Sequence, residues 1–159
     1  MDAITSTVLS IQNPILTSIG LFLDDSFLYV IVLFTLLIIT EKRNEKRRKI
    51  IISLIIAFVL GSLLKSGVAI ERPCVGQPNC PEEYSFPSLH AALAFTLAAG
   101  FLDKKQFPYF LLFALFVGFT RLNLGVHTFY DVAGALPVAL LSYYFVDILW
   151  KKEEGKNGA

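Results

Sequence analysis

The chain has 159 residues, 55% of them hydrophobic and only 17% charged, with a mean hydropathy of +0.62. Soluble domains carry about 25% charged residues, so this composition excludes an ordinary water-soluble domain and points to lipid as the main solvent. The net charge of +1 says little as a total, and no nucleic-acid partner is expected. Such a length suits one domain over 1–150 with a polar tail over 151–159 that is expected to fray.

Along the chain, the first 20 residues lack a basic flank, because the first Lys or Arg is Lys42. They do not read as an ordinary signal peptide and are expected to form an amphipathic or partly inserted segment. Residues 27–40 are almost wholly apolar, and with 20–26 they reach spanning length. Residues 50–64 follow, with helix able to continue to Ile70. Residues 88–102 are Ala-rich, 107–120 are Phe- and Leu-rich, and 129–150 are long with Pro137 inside. A span needs about 20 residues. The 88–102 segment is short by that measure, and its small residues suit close packing inside a bundle. The predicted fold is an all-α integral-membrane bundle of about five transmembrane helices plus the N-terminal amphipathic segment.

Basic residues then set the orientation. Of 14 Lys and Arg, six lie between Lys42 and Lys49, two are Lys104 and Lys105, and three are Lys151, Lys152 and Lys156. With five spans all three groups fall on one side, which the positive-inside rule makes cytoplasmic. Only Lys65, Arg72 and Arg121 fall on the other side, together with His90, His127 and both cysteines. An outside location permits a disulfide between Cys74 and Cys80; two free thiols are the alternative, and two cysteines alone make a poor metal site.

Three short motifs lie at the outer ends of the predicted spans. In Lys65-x6-Arg72-Pro73, continued helix would put both cations on one face two turns apart, where they can clamp a phosphoryl group. Taken alone, they read better as snorkelling interface cations. In Pro87-Ser88-Leu89-His90, Ser88 is a natural N-cap, and the N–H groups after it form an anion site. Singly, Ser88 is a cap and His90 an interface histidine. In Arg121-x5-His127-x3-Asp131, helical spacing lets Asp131 accept a proton-bearing nitrogen of His127, leaving the other nitrogen free to attack. Such a pair is often structural, but an Asp inside an apolar span is costly and implies function. Jointly, the motifs collect both histidines and every outside cation at one membrane level.

These motifs resemble the signature of the type-2 phosphatidic acid phosphatase superfamily of lipid phosphatases, which vanadium haloperoxidases share: Lys-x6-Arg-Pro, Pro-Ser-Gly-His and Ser-Arg-x5-His-x3-Asp. The match covers Lys65 to Asp131, and Asn13-Pro14 looks like the lead-in of small members. Leu89 stands where the family usually has Gly, and Thr120 where it has Ser. The resemblance implies that His127 attacks phosphorus and forms a phosphohistidine, oriented by Asp131. It implies that His90 protonates the departing oxygen and then activates water. Lys65, Arg72, Ser88, Arg121 and the Leu89 amide would stabilise the equatorial oxygens. No metal or other cofactor is called for, because three cations take the place that Mg²⁺ holds in other phosphoryl-transfer sites.

By the same resemblance, the expected protein is a hydrolase of the cell membrane with an extracytoplasmic site. Its expected substrate is a membrane lipid, a polyprenyl diphosphate cleaved to its monophosphate. Phosphatidic acid or phosphatidylglycerol phosphate is the alternative lipid. Haem ligation by the two histidines, or a degenerate inactive member with Leu89 as its mark, are the alternative functions.

Overall fold

A computed structural model describes residues 1–11, 13–78 and 80–157, with side chains as far as residue 153. Those residues form seven helices and no strand: α1 (Ala3–Leu9), α2 (Pro14–Asp24), α3 (Ser26–Thr40), α4 (Asn44–Val68), α5 (Leu89–Ala99), α6 (Phe107–Asn123) and α7 (Phe129–Asn157). Two of them, Asn44–Val68 and Phe129–Glu153, are long and apolar enough to cross a membrane unaided. The apolar helices α3, α5 and α6 are shorter.

Helix α5 is the axis of the bundle and packs against α3, α4, α6 and α7. Ala91, Ala92, Ala94, Ala98 and Ala99 are all buried on it. Methyl side chains let neighbouring backbones approach closely, which is how helices associate where no water drives them together. The outer surface reverses the pattern of a soluble protein: Ile55, Phe58, Leu63, Leu112, Leu141 and Ile148 are all exposed. This apolar exterior is the mark of an integral-membrane bundle.

Two expected spans differ in detail. Residues 20–40 do not form one helix, because the chain breaks at Asp25. The extended backbone there lets the Asp25 carboxylate accept from Leu28 N at 2.9 Å and cap α3. Helix α4 does not continue to Arg72 either. It stops at Val68, and Ala69 takes the left-handed conformation (φ 51°) that turns the chain away. The tail, expected to fray, continues α7 through Asn157; Gly158 and Ala159 lie outside the described residues.

The chain's charge separates along the helix axes. At the N-terminal end of α4, Lys46 pairs with Asp103 and Lys49 with Asp147. Lys65 lies sixteen residues along the same helix, about 24 Å away at 1.5 Å per residue.

The α4–α5 loop is held tightly over the other end. Cys74 and Cys80 are joined by a disulfide. Ser85 N donates to Ile70 O at 2.7 Å, and Ser88 N donates to Asp131 O at 3.0 Å. Phe86 packs on Gly134 of α7, where any Cβ would come within 2.1 Å of the ring. The loop's path therefore depends on that glycine.

Candidate active site

The three motifs converge on one cavity of about 480 Å³ at the loop end of the bundle. Lys65, Arg72, Leu89, His90, Arg121 and His127 line it, as do Asp24 and Tyr29. Ser88 and Asp131 are buried immediately behind. Lys65 comes from the last turn of α4, and Arg72 from the loop beyond it rather than from a shared helical face. Their ammonium and guanidinium groups are fixed by backbone carbonyls. Lys65 Nζ donates to Tyr84 O at 2.5 Å. Arg72 Nε donates to Glu83 O at 2.7 Å, and its Nη1 to Val126 O at 3.0 Å.

His127 precedes α7 rather than lying on it, and Asp131 sits in that helix's first turn. Asp131 Oδ2 accepts from Thr128 N at 2.6 Å, and Thr128 Oγ1 accepts from Asp131 N at 3.4 Å. This reciprocal cap starts the helix. The same Oδ2 lies 3.5 Å from His127 Nδ1 and accepts from Ser85 Oγ at 2.5 Å. Ser85 Oγ is also 3.4 Å from Nδ1.

The histidine's tautomer follows from its neighbours. Arg72 Nη1 lies 3.1 Å from His127 Nε2, and a guanidinium can only donate. Nε2 must therefore carry the lone pair, and the proton sits on Nδ1, facing Asp131 and Ser85. Burial pushes the His127 pKa down to about 4; the Asp131 hydrogen bond opposes this, and the charges of Arg72 and Arg121 reinforce it. The ring is neutral near pH 7, with its lone-pair nitrogen accepting from Arg72.

His90 follows Ser88 and Leu89 at the start of α5. Tyr29 of α3 holds it twice: its hydroxyl donates to His90 O at 2.7 Å, and the two rings lie 4.6 Å apart between centroids. Ser88 occupies the N-cap position, but its side chain makes no capping hydrogen bond. Four buried side-chain atoms among the described residues have no partner: Ser88 Oγ, His90 Nε2, Arg121 Nε and Arg121 Nη1. Buried polar atoms without partners are costly, and acceptor oxygens are what the serine hydroxyl and the two arginine nitrogens would take as partners. The Leu89 side chain lines the cavity and packs on Gly61 of α4, where a Cβ would lie 2.6 Å from it. No cluster of three His, Cys, Asp or Glu side chains suited to a metal ion occurs among the described residues.

Ser85, Tyr29 and Asp24 were not expected from the motifs. Asp24 carried the only visible signal, a charge between two apolar segments. Ser85 reaches its partners only through the fold of the loop.

A helical membrane bundle with a cationic, histidine-bearing cavity at one end defines a class of membrane phosphohydrolases. The PAP2 superfamily model matches residues 46–154, and the chain belongs to that superfamily of lipid phosphatases. It is 30% identical over 156 residues to undecaprenyl-diphosphatase BcrC of Bacillus subtilis strain 168, covering 89% of this chain and 80% of that one. It is 29% identical over 124 residues to human sphingosine-1-phosphate phosphatase 2, covering 64% of this chain but only 31% of that protein's length. The crystal structure of a transmembrane PAP2-type phosphatidylglycerolphosphate phosphatase from Bacillus subtilis superposes with a TM-score of 0.70. That match has 21% identity and covers 94% of this chain and 84% of the other.

Two predictions follow from this geometry. Hydrogen bonds to charged groups are worth about 1.5–3 kcal/mol, so Ser85→Ala should lower phosphate-releasing turnover about 10- to 100-fold. Unchanged turnover would show that Asp131 needs no help from Ser85. The second concerns pH. The unfolded His127 titrates near 6.5 and the folded one near 4, so the unfolded state binds more protons in between. Stability contributed by neutral His127 is complete above about 6.5 and is lost as pH falls toward 4. The melting temperature should therefore drop less between pH 7 and pH 5 in His127→Gln than in wild type; equal drops would refute the assignment.

Proposed function

We propose that the protein hydrolyses a polyprenyl diphosphate to its monophosphate, through a phosphohistidine on His127, at the extracytoplasmic face of the cell membrane. The observation that carries this reading is the cavity that gathers three cations, two unpartnered Arg121 nitrogens and the lone-pair nitrogen of His127. That is the environment a transferring phosphoryl group needs, since catalysis of its transfer is mainly positioning and charge stabilisation.

His127 Nε2 attacks phosphorus, a P–N bond forms, and the P–O bond to the lipid leaving group breaks. His90 Nε2 gives that oxygen its proton. His90 then takes a proton from water, the resulting hydroxide attacks phosphorus, and the P–N bond breaks to release inorganic phosphate. Asp131 and Ser85 hold the Nδ1 proton throughout, while Lys65, Arg72, Arg121, Ser88 and the Leu89 amide meet the equatorial oxygens.

An apolar groove supports a long-chain lipid. It holds about 190 Å³ between α3 and α4 and is lined by Val30, Leu33, Phe34, Leu54, Phe58 and Leu93, among other apolar side chains. Val30, Phe58 and Leu93 also line the polar cavity, so a headgroup in the cavity would lay its tail along the groove. A diphosphate is favoured by the undecaprenyl-diphosphatase relative. The outer location is favoured by the basic residues gathered at the far end of the helices and by the disulfide beside the cavity. Glycerophospholipid monoesters are the second reading, and a strong preference for phosphatidic acid over polyprenyl diphosphate would replace the first.

Purified protein should release phosphate from undecaprenyl diphosphate in detergent, with a chelator present. His127→Ala should abolish the release. Absence of release by wild type from both lipid classes would overturn the phosphatase reading. The groove gives a separate expectation. Ile55 lines the groove but not the polar cavity, and Ile55→Trp should cut turnover of undecaprenyl diphosphate at least tenfold, on the order of one lost tail-binding contact of 1.4 kcal/mol. Turnover of the short, soluble isopentenyl diphosphate should be unaffected, and equal losses on both would remove the groove from the account.

A further inference from the structure

Asp24 belongs to none of the motifs, yet its carboxylate enters the cavity and pairs with the most deeply buried of the three cations. Arg121 Nη2 donates to Asp24 Oδ1 at 2.5 Å, with the arginine side chain 2% exposed and the aspartate 35% exposed. We propose that Asp24 is a positioning residue for phosphoryl transfer, acting through Arg121 to aim its two free nitrogens at the phosphate. This inference rests on the phosphatase reading above.

Arg121 divides its nitrogens between two tasks. Its guanidinium is planar and rigid, so fixing one nitrogen fixes where the others point. Asp24 takes Nη2, while Nε and Nη1 remain buried without partners. Because the anion would use different nitrogens, the carboxylate need not leave when a phosphate arrives. It therefore acts as a permanent brace rather than a placeholder.

Local structure does not account for Asp24. It is the last residue of α2, where the helix dipole disfavours a negative charge. Nor is it needed to start α3, because Asp25 does that capping. Of two adjacent carboxylates, one serves the backbone and the other serves Arg121.

The helix bearing Asp24 is itself tied to the end of α6. Gly20 of α2 lies against Leu124, which a Cβ there would approach to 3.2 Å. The Asn123 amide donates to Val8 O at 3.1 Å and to Ile11 O at 2.9 Å. Thr5 Oγ1 accepts from Phe129 N at 2.8 Å, at the first residue of α7. The two N-terminal helices thus grip both ends of the segment that carries His127, and Asp24 extends that grip to Arg121.

The test is steady-state hydrolysis of farnesyl diphosphate by wild type, Asp24→Asn, Asp24→Glu, Arg121→Lys and the Asp24→Asn/Arg121→Lys double variant. Each rate is expressed per folded molecule. Misplacing a catalytic group by about 1 Å can cost about 10²-fold. Asp24→Asn should accordingly lower kcat about 10- to 100-fold with KM within about threefold, and Asp24→Glu should fall between it and wild type. In the Arg121→Lys background, Asp24→Asn should cost less than about twofold more, because the two residues act as one unit. An unchanged kcat in Asp24→Asn with a lowered melting temperature would reduce Asp24 to a structural counter-ion and overturn the proposal. Fully additive losses would do the same. If Asp24→Asn does not fold, a wild-type kcat in Asp24→Glu overturns it. A wild type that releases no phosphate sinks the phosphatase reading and this inference together, whereas an active wild type with an indifferent Asp24→Asn sinks this inference alone.

Discussion

Three cations buried at one end of an apolar bundle must each be given an acceptor, and much of the molecule's architecture answers that demand. A charge removed from water is tolerated only with partners that offset its desolvation. Lys65 and Arg72 obtain theirs from the carbonyls of Glu83, Tyr84 and Val126. Those carbonyls exist at the right places because the α4–α5 loop is closed by a disulfide, anchored through Ser85 N to Ile70, and pressed onto Gly134 by Phe86. Arg121 has no such loop and draws on Asp24 of α2 instead. The demand is met incompletely, and Arg121 keeps two buried nitrogens without partners.

The same economy governs the two histidines. Each is held from behind by a residue of another element, and each keeps one nitrogen turned to the cavity. His127 is set by Asp131, Ser85 and Arg72, which together dictate its tautomer. His90 is set by Tyr29, through its carbonyl and its ring. Rigid support from behind and free valence in front is what preorganisation requires when water is scarce. Helix α5 makes it possible, since its alanines let four neighbouring helices close in and bring α3, α4 and α7 within reach of one cavity.

Family membership fits this arrangement while leaving substrate choice to features outside the signature. Leu89 replaces the usual glycine, and its side chain is accommodated by Gly61 across the interface with α4. The substitution is thus balanced by a missing side chain opposite, and the cavity remains open beside it. Where the polar cavity meets the groove, the lining changes from charged to wholly apolar within the space of Val30, Phe58 and Leu93. A molecule with an anionic head and an apolar tail matches that boundary.

The sequence by itself determined the solvent and the helical class, and it named the candidate site residues. Hydropathy, the sorting of Lys and Arg, and the spacing of Lys65, Arg72, Ser88, His90, Arg121, His127 and Asp131 are properties of the chain's linear order; periodicity reads the helices, and the resemblance of the spaced motifs to a family signature reads the candidate site. The tertiary structure alone decided where helices stop and who supports whom. Ala69 ends α4 before Arg72, Asp25 divides what reads as one apolar span, and His127 stands ahead of α7 instead of on it. Ser85, Tyr29 and Asp24 acquire their roles through contacts spanning 46, 61 and 97 positions in the chain. No local pattern encodes such contacts; they form only when packing brings remote segments together and a buried charge selects whichever partner is within reach.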